Sequence, residues 1–69
     1  MHLSIEYEQE QDGRWLAEVP QLPGVLVYGA TAAEAMVKAE TLALRVLAER
    51  LETGASHPEP ITITIAAAA

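Results

Sequence analysis

Three glutamates are the residues of this chain whose type and spacing could support chemistry. Glu6 and Glu8 lie two residues apart in a segment that alternates apolar and polar side chains, and Glu18 lies in a second such segment. Carboxylates brought together in this way can hold Mg²⁺ for phosphodiester hydrolysis. They can also form a socket for a partner's arginine or lysine, because like charges placed opposite one another are destabilising until neutralised. A solvated acidic surface is the plainest alternative, and the residues alone leave all three open.

The other reactive side chains form no recognisable catalytic or metal-binding pattern. His2 lies at the N-terminus and His57 in a proline-rich segment, and neither has a second histidine or a cysteine at metal-ligand spacing. Ser4 and Ser56 lack the tight turn that exposes a nucleophile. The residues before the predicted helix lack the spaced glycines and the lysine of a phosphate-binding loop. We therefore expect no enzymatic activity, no catalytic residues, no cofactor and no metal.

A predicted hairpin positions the glutamates. Residues 3–10 and 15–19 each alternate apolar and polar side chains, the period of a half-buried strand. A two-residue loop between them would mix the two faces, whereas a three-residue loop that ends at Gly13 keeps all the apolar residues on one side. That loop requires a left-handed glycine. It also places Glu6 directly opposite Glu18.

A third strand, a helix and a fourth strand follow the hairpin. Residues 25–28 form a short apolar run, and Thr31-Ala32-Ala33-Glu34 is a capping box that predicts a helix start. The helix should continue to about Thr53, before Gly54, and residues 61–65 alternate as the last strand. The pattern predicts an α+β fold, β-β-β-α-β, in which one mixed sheet carries a single helix on one face.

Alternation divides this sheet into a helix-facing side and an outward side. One helix covers one face only, so the outward side must meet solvent or a partner. The predicted helix-facing core is Leu3, Ile5, Tyr7, Trp15, Ala17, Val19, Val25, Val27, Ile61, Ile63 and Ile65. The predicted partner-binding residues on the outward side are Glu6, Glu8, Leu16, Glu18, Leu26 and Tyr28. The helix is apolar over more of its circumference than one sheet face needs, so we also expect a homodimer or higher homo-oligomer.

Composition restricts the class of partner. The chain has 69 residues, with one domain expected over residues 1–65 and a frayed alanine tail over residues 66–69. Ten acidic and four basic residues give a net charge of −6, which argues against direct nucleic-acid binding. Such a charge favours a basic partner, or serves solubility alone. No cysteine, signal peptide or membrane span is evident, so we expect a cytoplasmic protein.

One set of residues resembles a known family. The set is Asp12-Gly13, Trp15, Ala17, Val19-Pro20, Leu22-Pro23-Gly24, Gly29, Thr31 and Glu34-Ala35. It is similar to the HicB-like antitoxin pattern, in which a hairpin is followed by x-V-P-x-L-P-G, a short strand, and G-x-T-x-x-E-A at the start of a helix. The resemblance covers about residues 3 to 53.

The resemblance implies both a fold and a partner. HicB-like domains have a truncated ribonuclease H-like fold without its catalytic carboxylates, and they bind HicA, a small basic toxin that cleaves RNA. The implied function is an antitoxin-like module that sequesters a HicA-type toxin. The alternative is an orphan homo-oligomeric scaffold or small-ligand-binding domain without a toxin.

The chain departs from the family pattern at two places. Val25 stands where the family often has cysteine. Full antitoxins continue into a C-terminal helix-turn-helix or ribbon-helix-helix that binds their operator, whereas this sequence ends in four alanines. Operator binding is therefore left open.

Overall fold

The computed structural model describes residues 1–67 and contains the five elements in the predicted order. They are β1 (His2–Gln9), β2 (Trp15–Glu18), β3 (Leu26–Gly29), α1 (Ala32–Glu52) and β4 (Thr62–Ala67). The strands form one sheet in the order β3-β2-β1-β4. β2 is antiparallel to both of its neighbours, and β1 is parallel to β4. The α+β fold with one mixed sheet and one helix is confirmed.

The β1–β2 hairpin has the predicted register. The Glu10 N–H donates to the Arg14 carbonyl at 2.7 Å, and the Gly13 N–H donates to the Glu10 carbonyl at 3.0 Å. The loop therefore has three residues, and Gly13 adopts the left-handed conformation with φ of 92°. Glu6 faces Glu18 across the two strands, as predicted.

The proline-containing turn after β2 packs back onto the sheet. Pro20 has no N–H to donate, and β2 ends at Glu18. Beyond this end, the Gln21 side chain accepts from the Ser4 N–H at 3.1 Å and donates to the Ser4 hydroxyl at 3.0 Å. The same turn buries Leu22 to 2% exposure. Leu22 is a core residue that the sequence pattern did not identify.

The helix begins and ends with the predicted residues. The Glu34 N–H donates to the Thr31 hydroxyl at 3.0 Å, which caps the first turn. The Glu34 carboxylate accepts from the Ala30 N–H at 3.2 Å, one residue before the amide that a capping box predicts. Gly54, with φ of 78°, follows the last turn.

A row of buried residues, mostly alanines, brings the helix close to the sheet. The buried helix residues Ala35, Ala39, Ala43 and Leu47 recur at every fourth position. Gly29 of β3 lies directly below the first turn, and a Cβ there would lie 2.7 Å from the Ala35 nitrogen. Glycine at this position is therefore required for close approach, in addition to ending the strand as the sequence indicated.

The predicted core is correct for the centre of the sheet and wrong at one edge. Five of its members are buried, namely Leu3, Ile5, Ala17, Val19 and Val25. Four more are partly buried against them, namely Tyr7, Trp15, Val27 and Ile63. In contrast, Ile61 and Ile65 are 44% and 55% exposed. Among the described residues, α1 packs on β1, β2 and β3 but not on β4, which leaves Ile65 without a cover. Ile61 precedes β4 and lines an open cleft beside Leu51.

The last strand extends further than the sequence indicated. It includes Ala66 and Ala67, which register with Glu6 and Tyr7 of β1. The sequence had assigned both alanines to a frayed tail, so the predicted domain end at residue 65 is two residues short of the strand end. The rest of the predicted tail, residues 68–69, lies outside the described residues.

Candidate functional site

The outward face of the sheet brings all six predicted partner-binding residues together. They fill two adjacent rows across three strands, so that each side chain has neighbours from the set. The first row is Glu6, Glu18 and Leu26, and the second row is Glu8, Leu16 and Tyr28. We call these six residues the outward patch.

The acidic part of the outward patch lies on β1 and β2. Glu6 and Glu18 are directly opposite each other and half-buried, and the exposed Glu8 lies one row further along β1. Among residues 1–67, the ion pairs involve other acids, and none reaches these three. Like charges facing each other across a strand pair are unfavourable unless a cation is placed between them. A positive charge placed between Glu6 and Glu18 would therefore relieve this repulsion.

The apolar part of the patch lies on the edge strand β3. Leu26 is 48% exposed and Tyr28 is 39% exposed, although both are large apolar side chains on a regular strand. Leu16 is half-buried between Glu8 and Tyr28. The patch thus combines facing carboxylates with exposed apolar side chains, which makes it a candidate interaction surface.

Arg14 borders the patch and was missed by the sequence analysis. Its guanidinium lies 4.3 Å from the centre of the Tyr28 ring, within the range of a cation–π contact. Asp12 holds it in place through a 2.7 Å contact to the Arg14 Nε. Side chains of β2 alternate between the two faces of the sheet. Arg14 is two residues before the outward-facing Leu16, so the same alternation assigns it to the outward face.

The Asp12–Arg14 pair fixes a cation at the rim of the patch. The Arg14 backbone N–H and then its side chain donate to Asp12, and both hydrogen bonds lower the pKa of the Asp12 carboxyl below its ordinary value. In return, the Asp12 carboxylate raises the pKa of Arg14. Since Arg14 is paired with Asp12, it does not neutralise the three glutamates.

The three carboxylates of the outward patch do not form a cluster that could hold a metal ion. Within the described part of the chain, no group of three histidine, aspartate or glutamate side chains has the geometry to hold a metal ion. Neither histidine belongs to the outward patch, although His2 lies on the same face of β1 as Glu6 and Glu8. His2 is 3.5 Å from the Thr64 hydroxyl, and His57 lines a cleft near the end of α1.

Comparisons with known proteins gave no match. No protein-family model, curated protein or solved structure is similar to the chain at a significant level. Separately, none of the helical segments in residues 1–67 is long and apolar enough to cross a membrane.

Proposed function

We propose that this chain is an antitoxin-like binding module that docks a small basic RNA-cleaving toxin on the outward patch. The observation that carries the proposal is the facing pair Glu6 and Glu18, which has no cation beside it among the described residues. In this proposal the chain acts by protein–protein contact and is not itself an enzyme.

An arginine from the partner fits the acidic part of the patch. A guanidinium can form hydrogen bonds with two carboxylates at once, and such charge-assisted bonds are roughly twice as strong as neutral ones. The half-buried position of Glu6 and Glu18 reduces solvent screening of these bonds. The net charge of −6 attracts a basic protein at long range before contact is made.

The apolar strip supplies the rest of the interface. Tyr28 is the type of residue that most often contributes strongly to binding free energy, because it buries a large rigid surface and keeps a polar end. Its ring is already packed against Arg14, so it loses little conformational freedom on binding. Leu26 beside it excludes water from the glutamates once a partner covers the face.

The resemblance to HicB-like antitoxins supplies the class of partner. The residues that carry it include a turn glycine, a helix cap and the close-approach Gly29. They support a shared fold, and we include in the proposal that the fold is a truncated ribonuclease H-like one. A HicA-type toxin acts on RNA, which places the proposed complex in the bacterial cytoplasm and agrees with the absence of cysteine.

The test measures RNA cleavage by the HicA-type toxin encoded beside this chain, with and without the chain. We expect wild type to inhibit cleavage and the double variant Glu6→Lys, Glu18→Lys to lose inhibition. Each broken, desolvated charge pair should cost on the order of 2–5 kcal/mol of binding free energy. The matched control is Glu49→Lys, Glu52→Lys on the solvent side of α1. Both double variants change the net charge from −6 to about −2, because each replacement adds two charges.

Three results would contradict the proposal. If the two double variants lose inhibition equally, overall charge and not the patch is responsible. If no toxin frame lies beside the gene and the chain inhibits no HicA-type toxin, the orphan scaffold is the better function. If the chain alone cleaves RNA or DNA with Mg²⁺ or Mn²⁺, and Glu6→Lys, Glu18→Lys abolishes that cleavage, the glutamates form a metal site instead.

A further inference from the structure

β3 presents one row of backbone groups at a free edge of the sheet. It is an end strand in the order β3-β2-β1-β4. The Val19 N–H donates to the Val25 carbonyl at 3.0 Å, which fixes the hydrogen-bonded positions of this antiparallel pair. Because hydrogen-bonded and other pairs alternate, Val27 directs its backbone groups toward β2, whereas Leu26 and Tyr28 direct theirs toward the free edge. An open row of this kind is a template for pairing with another strand.

Two side chains of α1 reach this free edge. The Lys38 amine donates to the Tyr28 carbonyl at 3.2 Å. The Glu34 carboxylate accepts from the Ala30 N–H, also at 3.2 Å, on the continuation of the same edge. The amine and the carboxylate form an ion pair with each other at 3.0 Å. We call the pair Glu34 and Lys38 the edge clasp.

The edge clasp occupies the positions that an incoming strand would need. Such a strand would place an amide nitrogen about 2.9 Å from the Tyr28 carbonyl oxygen, where the Lys38 amine already donates. An incoming carbonyl would likewise compete with the Glu34 carboxylate for the Ala30 N–H. Both bonds of the clasp are charge-assisted, and such bonds are roughly twice as strong as the neutral bonds that would replace them. Strand addition is therefore opposed at two points.

The other edge groups of β3 differ in whether they are already used. The Leu26 N–H donates to the Gly24 carbonyl at 3.1 Å, which closes the start of the edge. The Tyr28 N–H points away from β2 and has no acceptor among residues 1–67. This N–H is therefore the donor that a new strand would engage once the clasp is open.

We propose that the edge clasp is an autoinhibitory contact that prevents a second copy of this chain from adding its own β3 to this edge. A second copy presents the same edge, and two antiparallel β3 strands can pair about a two-fold axis. Leu26 and Tyr28 are 48% and 39% exposed, so pairing would also join their side chains into one apolar strip across both copies. The inference concerns the backbone edge of β3 and does not depend on the proposed function.

The edge clasp contributes little to the stability of a single copy. The Lys38 and Glu34 side chains are 52% and 45% exposed, and ion pairs at such positions are weak. Opening the clasp should therefore change how copies associate without unfolding the domain. This difference separates a role at the edge from a role in folding.

Lys38→Met removes the donor of the edge clasp. Methionine keeps a long aliphatic chain and a high helix propensity but cannot donate. By sedimentation velocity at one concentration, we expect Lys38→Met to have about twice the mass of wild type. Lys38→Arg, which keeps a donor, should have the wild-type mass. The matched control is Arg45→Met, another exposed α1 residue, since both methionine variants lower the net charge from −6 to about −7.

Amide hydrogen exchange locates the new contact, and circular dichroism checks that each variant is folded. In wild type the Tyr28 N–H should exchange rapidly, whereas the Val27 N–H, which pairs with β2, should be protected. In Lys38→Met we expect exchange at Tyr28 to slow by about tenfold or more.

Four results would overturn the proposal. The first is a wild-type Tyr28 N–H as protected as that of Val27, because the edge would then already be paired. The second is a folded Lys38→Met chain with the wild-type mass. The third is a heavier Lys38→Met chain in which Tyr28 exchanges as in wild type, because the copies would then meet elsewhere. The fourth is an equal gain in mass for Lys38→Met and Arg45→Met, which would assign association to charge and not to the clasp.

Discussion

The same three strands present two faces that differ in how they are closed. On the inner face, Leu3, Ile5 and Ala17 are at most 1% exposed under a helix of the same chain. On the outward patch, the residues between them in sequence are glutamates and large apolar side chains that remain half-buried or exposed. Alternation therefore gives one face that stabilises the monomer and one face that remains available to a partner. Substitutions on the inner face should change folding, whereas those on the outward patch should change binding.

The largest effect is expected from paired truncations on the two faces. Ile5→Ala removes a fully buried side chain and should lower the free energy of unfolding by about 2–5 kcal/mol. Leu26→Ala removes a side chain that is 48% exposed and should change it by only about 0.5 kcal/mol. Urea denaturation measures both. Equal losses would show that the outward face is also part of the core.

A smaller loss is expected where the helix closes the inner face. Gly29→Ala adds a methyl group that would lie 2.7 Å from the Ala35 nitrogen, so the first turn of α1 must move. Overpacking of this kind costs about 1–3 kcal/mol. Thermal unfolding measures the loss. Ala30→Gly, at the neighbouring exposed position, controls for a general effect of substitution before the helix, and an unchanged Gly29→Ala would place the helix further from β3.

The hairpin turn determines which residues belong to each face. Gly13 has φ of 92° with open space around it, so Gly13→Val is opposed by backbone strain and not by a clash. We expect a loss of about 1 kcal/mol, because β-branched residues are strained in this region. A thermal unfolding midpoint equal to that of wild type would mean that the loop, and with it the Glu6–Glu18 register, is different.

The smallest effect concerns an ion pair that belongs to neither face. Lys38, 3.0 Å from Glu34, and then the Ala30 N–H lower the pKa of Glu34 below its ordinary value of 4.5. Because the pKa of Glu34 is lower in the folded state than in the unfolded state, its ionised form stabilises the fold at pH values above the unfolded-state pKa. This stabilisation is lost as the pH falls through the folded-state pKa. Wild type should therefore be slightly more stable than Glu34→Gln at pH 7, and the difference should vanish in acid. Both side chains are exposed, so the effect is small. A difference that persists in acid would point to a cause other than charge.

Residues that are close in sequence were sufficient to predict the strands and the helix, and to assign residues to the outward face of the sheet. The turn glycine Gly13 and the cap residue Thr31 act through neighbours in the chain, so their roles follow from type and spacing. The outward patch follows from the same alternation. Once the order and register of β1, β2 and β3 are known, the six residues of the outward patch fall into two rows.

The position of the helix across the sheet could not be predicted from residues that are close in sequence. Ile61 and Ile65 have the pattern of core residues, but α1 packs on β1, β2 and β3 and not on β4, so they remain 44% and 55% exposed. Leu22 was missed because a turn with two prolines predicts exposure, whereas the Gln21–Ser4 hydrogen bonds fold that turn onto the sheet. Such effects depend on contacts between segments that are distant in sequence.

Amide chemical shifts, measured while a HicA-type toxin is titrated into the isotope-labelled chain, test the central claim most directly. We predict that the largest changes map to β1, β2 and β3 at Glu6, Glu18 and Tyr28. The amides of Val37, Leu44 and Leu51, which are exposed on α1, should remain unchanged. Changes confined to α1 or β4, with the outward patch unaffected, would contradict docking on the outward face.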